Sequence, residues 1–332
     1  MTTAKPPPSV LVAGSANVDF IVRTPHIPAP GETVLGGDLT VTPGGKGANQ
    51  AVACARGGGV ATAMLLALGD DPFAPLIEAS LRDAGVDLRV VRSTRPTGAA
   101  LICVSDEAEN AIAVAPGANA TLAPADLTDL AGVAGLVLQF ETPMATVTAF
   151  AKKARAQGVP VILNAAPAAA LPAELRAAID VLVANEEELV VLAGRDGTIA
   201  ERLRSLDVPC AVATLGARGC CALADGAYWL QPAFPVAPVD TTGAGDTFCG
   251  VLAGALCSGA PLADALRRAS AAAALATTRL GAQASAPTAA EIEALLHGRQ
   301  PDESALAGLA AYCGVTEYNL AGRPAGQLSD PA

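Results

Sequence analysis

The chain predicts an α/β fold: a doubly wound, mostly parallel sheet with helices on both faces and a small β-sheet lid. Three observations predict it. Between Gly135 and Thr214, short apolar runs alternate with helix-forming stretches, the pattern of parallel βαβ units. Small or polar residues close several of the strand-like runs, at Gly14–Asp19, Phe140–Pro143, Asn164, Asn185 and Thr214–Gly219, where open α/β sheets place ligands. Outside that rhythm, segments near 20–42 and 96–115 show period-two alternation broken by Pro25, Pro28, Pro30 and Gly31, which suggests a projecting β element.

The 332 residues allow one large α/β domain or two small ones, and no internal repeat is visible. We expect a main domain over 9–298, the lid inserted near 20–42 and 96–115, and a weakly ordered C-terminal extension over 299–332. A net charge of −11 argues against nucleic acid or an anionic membrane surface as partner. Any phosphate must therefore be held by local geometry against the global field. The eight cysteines lie in apolar segments without a Cys-x-x-Cys pair, so they read as buried thiols in a reducing, cytoplasmic setting. The first residues lack the apolar core of a signal peptide, and no apolar run reaches the length of a membrane span. Two histidines, His26 and His297, leave no material for a histidine-based metal centre or a Ser-His-Asp triad.

In chain order, Val10–Ala13 is a strand whose end carries Asn17 and Asp19 on one face of an extended segment. Phe20–Arg23 and Glu32–Thr42 read as lid strands. Pro43–Gln50 is a glycine-rich turn opening a helix, with Lys46 and Asn49 supplying a charge and an amide. It fails as a P-loop because Gly47 follows the lysine. Strands at Ala61–Leu68, Val86–Val91, Thr97–Val104 and Ala111–Val114 enclose a helix at Asp71–Ala84. Gly135–Gln139 is a strand and Met144–Gln157 a helix. Val161–Leu163, Val181–Ala184 and Ala211–Thr214 are then strands, with helices at Ala173–Ile179, Glu186–Ala193 and Ile199–Leu206. Asp225-Gly226 turns a hairpin between Cys220–Leu223 and Ala227–Leu230. Helices follow from about Asp246 to Ser258, over Leu262–Thr277 and over Ala289–Leu296, with Arg279–Ser285 as a loop and a short helix at Leu306–Tyr312.

The stretch from Val239 to Gly254 organises the chemistry. Gly243 and Gly245 can turn backbone N–H groups toward one point, and the helix that follows adds unpaired N–H donors and partial positive charge. Together they can hold an anion without a basic side chain. Asp246 there is either an ordinary helix cap or a general base beside a transferring phosphate; spacing alone leaves both open. The acids Glu186, Glu187 and Glu188 similarly either complement a helix dipole or help orient Mg²⁺.

Taken together, the Gly44-Gly45-Lys46-Gly47-Ala48-Asn49 and Asp240-Thr241-Thr242-Gly243-Ala244-Gly245-Asp246 turns resemble the two signatures of the ribokinase-like (PfkB-type) carbohydrate kinases. The resemblance runs from about Val10 to Leu296. It implies ATP-dependent phosphorylation of a small sugar, ribose at its 5-hydroxyl before others. Asp246 would then be the base, and Gly243, Ala244 and Gly245 the anion hole. Asn17, Asp19, Gly45, Lys46, Asn49 and Glu141, with Asp246, would hold the sugar. Asn185, Thr214, Gly216, Gly219 and Gly245 would serve the nucleotide, and Glu188 would meet Mg²⁺ through water. Asp240, Thr242, Ala276, Arg279, Gly281 and Ser285 would hold K⁺, mostly by backbone oxygens. The family pattern also implies a homodimer through the lid. Deoxyribose, fructose or a nucleoside as acceptor, and a non-catalytic sugar sensor, are the alternatives. The 3% aromatic content fits a polyol better than a stacked base. A dinucleotide-binding dehydrogenase is excluded by Phe248, which stands where a third glycine is required.

Overall fold

The computed structural model describes residues 9–320 except 108, 300 and 301. Strands β1 (Ser9–Ala13), β4 (Ala61–Gly69), β5 (Val86–Ser93), β8 (Val133–Leu138), β9 (Val161–Asn164), β10 (Val181–Asn185), β11 (Cys210–Thr214), β12 (Gly219–Ala224), β13 (Ala227–Pro232) and β14 (Asn319–Leu320) form one sheet. Their order is β14-β13-β12-β11-β10-β9-β8-β1-β4-β5. The seven strands from β11 to β5 run parallel, and only β12 reverses against its two neighbours, β11 and β13. The chain winds outward in both directions from β1, so the crevice between β1 and β8 is the switch point where such sheets bind ligands.

Alternation along a strand buried on both faces explains why β1 reads as a continuous apolar run. Leu11 and Ala13 join one core, which includes Val147, Leu189 and Leu203 from the helices Met144–Ala156, Glu186–Ala193 and Ile199–Ser205. Val10 and Val12 join the opposite core, with Ala51, Val52 and Ile77 from the helices Lys46–Arg56 and Ala74–Asp83. On that second side, the helix Ala244–Cys257 packs on Lys46–Arg56 at close range. A Cβ on Gly250 would lie 2.4 Å from the Gln50 carbonyl oxygen, so only glycine admits this approach. That contact sets Asn49 and Gln50 beside Asp246.

The second sheet has the order β3-β2-β6-β7, with β2 (Asn17–Thr24), β3 (Thr40–Gly44), β6 (Gly98–Ser105) and β7 (Asn110–Ala115). Its register puts Asp19, Ala100 and Val114 in one row, so the face that bears Asn17 and Asp19 continues into apolar positions. Leu101, Ile112 and Val114 are 57%, 55% and 47% exposed. Phe20 meets Phe73 edge-on at 5.3 Å, tying this sheet to the main body.

The structure corrects several expected boundaries. Residues 32–39 form no strand, because β3 begins only at Thr40, where β2 offers partners. Arg279–Ser285 is not all loop, since Ala282–Ser285 makes one helical turn, and the Ala173 helix stops at Arg176. The segment expected to be weakly ordered after Arg299 contains the helix Glu303–Cys313, which buries Leu306, Leu309, Ala310 and Cys313 in the core around β13. Asp302 caps it by accepting from the N–H groups of Ser304 and Ala305. The expectation for 321–332 lies outside the described residues. All eight cysteines are free thiols. Among the described residues no helix is long and apolar enough to cross a membrane.

Candidate active site

At the start of the helix Ala244–Cys257, Gly243 takes the left-handed conformation at φ 73° and ends the preceding turn. The Ala244 N–H donates to the Thr241 carbonyl (3.2 Å), and the Thr247 N–H to the Gly243 carbonyl (2.8 Å). The N–H groups of Gly243, Gly245 and Asp246 find no acceptor among the described residues. Of the three donors expected for an anion, Ala244 is thus engaged, while the N–H of Asp246 joins the set.

The Asp246 side chain is 8% exposed and held at both oxygens. The Asn49 amide donates to Oδ2 (2.9 Å) and the Gln50 amide to Oδ1 (3.0 Å). Gln50 also donates to Asn164 Oδ1 (3.1 Å) and accepts from the Gln139 amide (2.7 Å). One helix start therefore holds the carboxylate directly, and two strand ends steady it through Gln50. An N-cap would spend an Asp oxygen on its own helix; this carboxylate instead accepts from a different helix. Asn49 Oδ1 is buried without a partner.

Beside it lies a cluster of polar side chains from β2, the glycine turn and Glu141. Asn17 accepts at Oδ1 from the Asn119 amide (2.7 Å), and Asn119 is itself fixed by the Ala16 N–H (3.0 Å) and Ala16 carbonyl (3.2 Å). Glu141 accepts at Oε2 from the Ser15 hydroxyl (2.6 Å) and the Lys46 N–H (3.0 Å). Gly44 allows Asp19 to reach in, since a Cβ there would sit 2.0 Å from Asp19 Oδ2. Burial first, then the charges of Glu141 and Asp246, push the Asp19 carboxyl up to about 7. The Asp246 charge raises the Lys46 ammonium above its ordinary value against the effect of burial, and Glu141 and Glu188 add to it. These couplings place Asp19, Lys46, Glu141, Glu188 and Asp246 in one electrostatic cluster.

Asn185 and Glu188 form a reciprocal capping box: the Asn185 N–H donates to Glu188 Oε2, and the Glu188 N–H to Asn185 Oδ1, both at 2.8 Å. Both side chains therefore serve the helix start. Glu188 stays in the cluster nonetheless, its carboxyl raised chiefly by burial. Asp240 accepts from the Thr242 N–H and the Gly281 N–H, both at 2.9 Å. Burial opposes ionisation there, but these bonds outweigh it and hold the carboxyl below its ordinary value. Arg279 pairs with Glu291 at 2.5 Å, and the Ser285 hydroxyl donates to Ala282 O (3.0 Å). The Ala276 carbonyl already accepts the Arg279 N–H (3.2 Å). Of the expected cation residues, Asp240 and Gly281 thus join the 240–242 turn to the 279–285 segment. Thr214 ends β11, and Gly216 and Gly219 (φ 55° and 114°) bound the tight turn that follows it.

Gln50, Gln139, Asn119 and Ser15 escaped sequence reasoning as site residues. Gln50 directly follows Asn49 on the helix that the glycine turn opens, and Gln139 directly follows β8, so a helix start and a strand end were usable signals for them. Asn119 carried none, because it sits in an irregular 3₁₀ segment 102 residues from its partner Asn17.

Comparison with known proteins gives concordant matches. The pfkB family of carbohydrate kinases matches residues 7–289. A ribokinase from Haemophilus influenzae is 36% identical over 303 residues, covering 87% of this chain and 99% of that protein. A deoxyribokinase from Salmonella typhi is 33% identical over 293 residues, covering 84% of this chain and 95% of that protein. The solved structure of Arabidopsis thaliana ribokinase complexed with ribose and ATP superposes with a TM-score of 0.80 at 33% identity, covering 88% of this chain and 99% of that one.

Proposed function

The chain belongs to the pfkB family of carbohydrate kinases, and on that premise we propose that it phosphorylates D-ribose at the 5-hydroxyl with ATP, giving ribose 5-phosphate and ADP. The observation that carries the reading is the Asp246 carboxylate, clamped by Asn49 and Gln50 beside three unpartnered N–H groups. A sensor has no use for a base held in this way.

In the proposed step the sugar oxygen bonds to the γ-phosphorus as the bond from phosphorus to the ADP oxygen breaks. The hydroxyl proton passes to Asp246, and ADP leaves with the electron pair. The N–H groups of Gly243, Gly245 and Asp246 would meet the charge on the transferred oxygens. Each such donor is worth roughly a hundred- to a thousand-fold in rate. Lys46, coupled to Asp246 and Glu141, would offset negative charge as donor and acceptor approach. Asn17, Asp19 and Glu141 offer acceptors, and the unpartnered Asn49 Oδ1 a further one, for a ring of hydroxyls. Asn185, Thr214, Gly216 and Gly219 would line the nucleotide side.

Mg²⁺ fits Glu188 as one carboxylate acting with water and nucleotide phosphates, where it would neutralise phosphate charge. Among the described residues no cluster of three or more His, Cys, Asp and Glu side chains could cage a metal alone. The oxygen-rich tie between Asp240 and the 279–285 segment suits K⁺, which would stiffen the turn ahead of Gly243. The second sheet would close over the sugar as a lid. Its exposed Leu101, Ile112 and Val114 support a homodimer through that sheet. The compartment proposed is the cytoplasm.

ADP release with Mg·ATP would be measured against ribose, deoxyribose, fructose, adenosine and no sugar, in K⁺ and in Na⁺, with Asp246→Asn alongside. Ribose-dependent turnover that K⁺ raises and Asp246→Asn abolishes is the expected result. Preference for deoxyribose, the reading favoured by the Salmonella relative, would overturn the sugar assignment and leave the chemistry standing.

A further inference from the structure

The extension after Arg299 lies beyond the residues matched by the family, yet it does not hang free. Its helix Glu303–Cys313 packs against β13, and β14 then pairs with β13 in parallel at Trp229–Asn319 and Leu230–Leu320. Gly314 ends the helix in the left-handed conformation at φ 71°. Tyr312, two residues earlier, touches two separate pieces of the nucleotide side. The Arg218 guanidinium lies 4.2 Å from its ring centroid, a cation–π contact. Its hydroxyl donates a short hydrogen bond to the Glu186 carboxylate.

Both partners sit inside elements the proposed function assigns to ATP. Arg218 is the last residue of the turn Gly216–Arg218; its N–H donates to Leu215 O (3.1 Å), and its carbonyl accepts from the Ala233 N–H (3.2 Å). Glu186 is the first residue of the helix capped by Asn185 and Glu188. Among the described residues no other side-chain hydrogen bond, ion pair or ring contact links these two strand ends, which close β10 and β11 side by side. We infer that Tyr312 is a positioning residue for nucleotide binding, clamping the β11 turn to the β10 helix start through Arg218 and Glu186. The extension is then a working part of the ATP side. The inference rests on the kinase reading.

The experiment uses the full chain with Tyr312→Ala and Tyr312→Phe. For Tyr312→Ala, the ADP Kd by calorimetry and the KM for ATP should both rise roughly three- to tenfold. The KM for ribose and kcat at saturating ATP should stay within about twofold. Tyr312→Phe keeps the ring over Arg218 and should fall between wild type and Tyr312→Ala. Hydrogen exchange should quicken at Leu215–Gly219 and Asn185–Glu188 in the alanine variant, a readout that needs no nucleotide. A lower melting temperature with unchanged ADP affinity and unchanged exchange at those segments would reduce Tyr312 to a structural prop and overturn the inference. Faster exchange in a chain that binds no ADP even as wild type would instead overturn the kinase reading, and the nucleotide role with it.

Discussion

Replacing Gln50 with methionine tests the site where its geometry is least conventional. Gln50 donates to Asp246 Oδ1 at 3.0 Å and to Asn164 Oδ1 at 3.1 Å, and accepts from Gln139 at 2.7 Å. Methionine keeps the volume and removes all three bonds. A hydrogen bond to a charged group contributes about 1.5–3 kcal/mol. If that energy holds Asp246 in its productive orientation, kcat falls roughly 10- to 100-fold at about 1.4 kcal/mol per decade. Stability falls as well, because Gln139 loses its acceptor in a buried setting at a cost of about 1–3 kcal/mol. Asn164 keeps its bond to the Val183 carbonyl (3.3 Å), so its share is smaller. A melting point lower by several degrees is the corresponding thermal signature, at about 2–4 °C per kcal/mol. The assay is initial-rate ADP release with saturating ribose and Mg·ATP, at a temperature well below the variant's melting point. The KM for ATP should hold while kcat drops, since Gln50 lies on the Asp246 side of the cluster. Gln50→Glu, which sets a like charge against Asp246, should lose more. A folded Gln50→Met enzyme turning over within about twofold of wild type would refute the argument that Gln50 orients the base.

Two further outcomes test the sugar pocket. Asp19, pushed up to about 7, is neutral below that pH and a carboxylate above it, so in the proposed site it would accept sugar hydroxyls best on the alkaline side. The KM for ribose should therefore rise about tenfold per pH unit lost below 7, up to the limit set by the residual neutral-form affinity, and a KM flat from pH 8 to 6 would contradict it. Gly44→Ala places a methyl group where the Asp19 carboxylate now lies, 2.0 Å from Oδ2. Ribose affinity by calorimetry should drop roughly tenfold or more, with ADP affinity preserved; equal losses for both ligands would mean general distortion instead.

The legible part of this protein was the part written in local pattern. Short continuous apolar runs bounded by turn residues made β1, β4, β8, β10 and β11 readable, because a strand buried on both faces must be apolar throughout. The Gly243–Asp246 turn was readable because positive φ, freed N–H groups and a carboxylate fall within a few residues of one another. The limits of β3 were not, since a lid strand exists only as far as β2 supplies hydrogen-bond partners. The extension looked weakly ordered because its helix is short and its apolar face has value only once β13 is in place beneath it.

By itself, then, the sequence determined the α/β architecture, the glycine turn that opens the Asp246 helix and the acidic and amide side chains available to it. Tertiary structure alone decided what those side chains do. Gln50 reaches Asp246 across 196 positions only because Gly250 lets two helices touch, and Asn119 reaches Asn17 across 102. It also decided that Asn185 and Glu188 spend hydrogen bonds on each other and that Tyr312 bridges two strand ends. The physical reason is common to all of them. A side chain's partner, burial and charge environment depend on segments far away in the chain, and no local periodicity encodes which segments those will be.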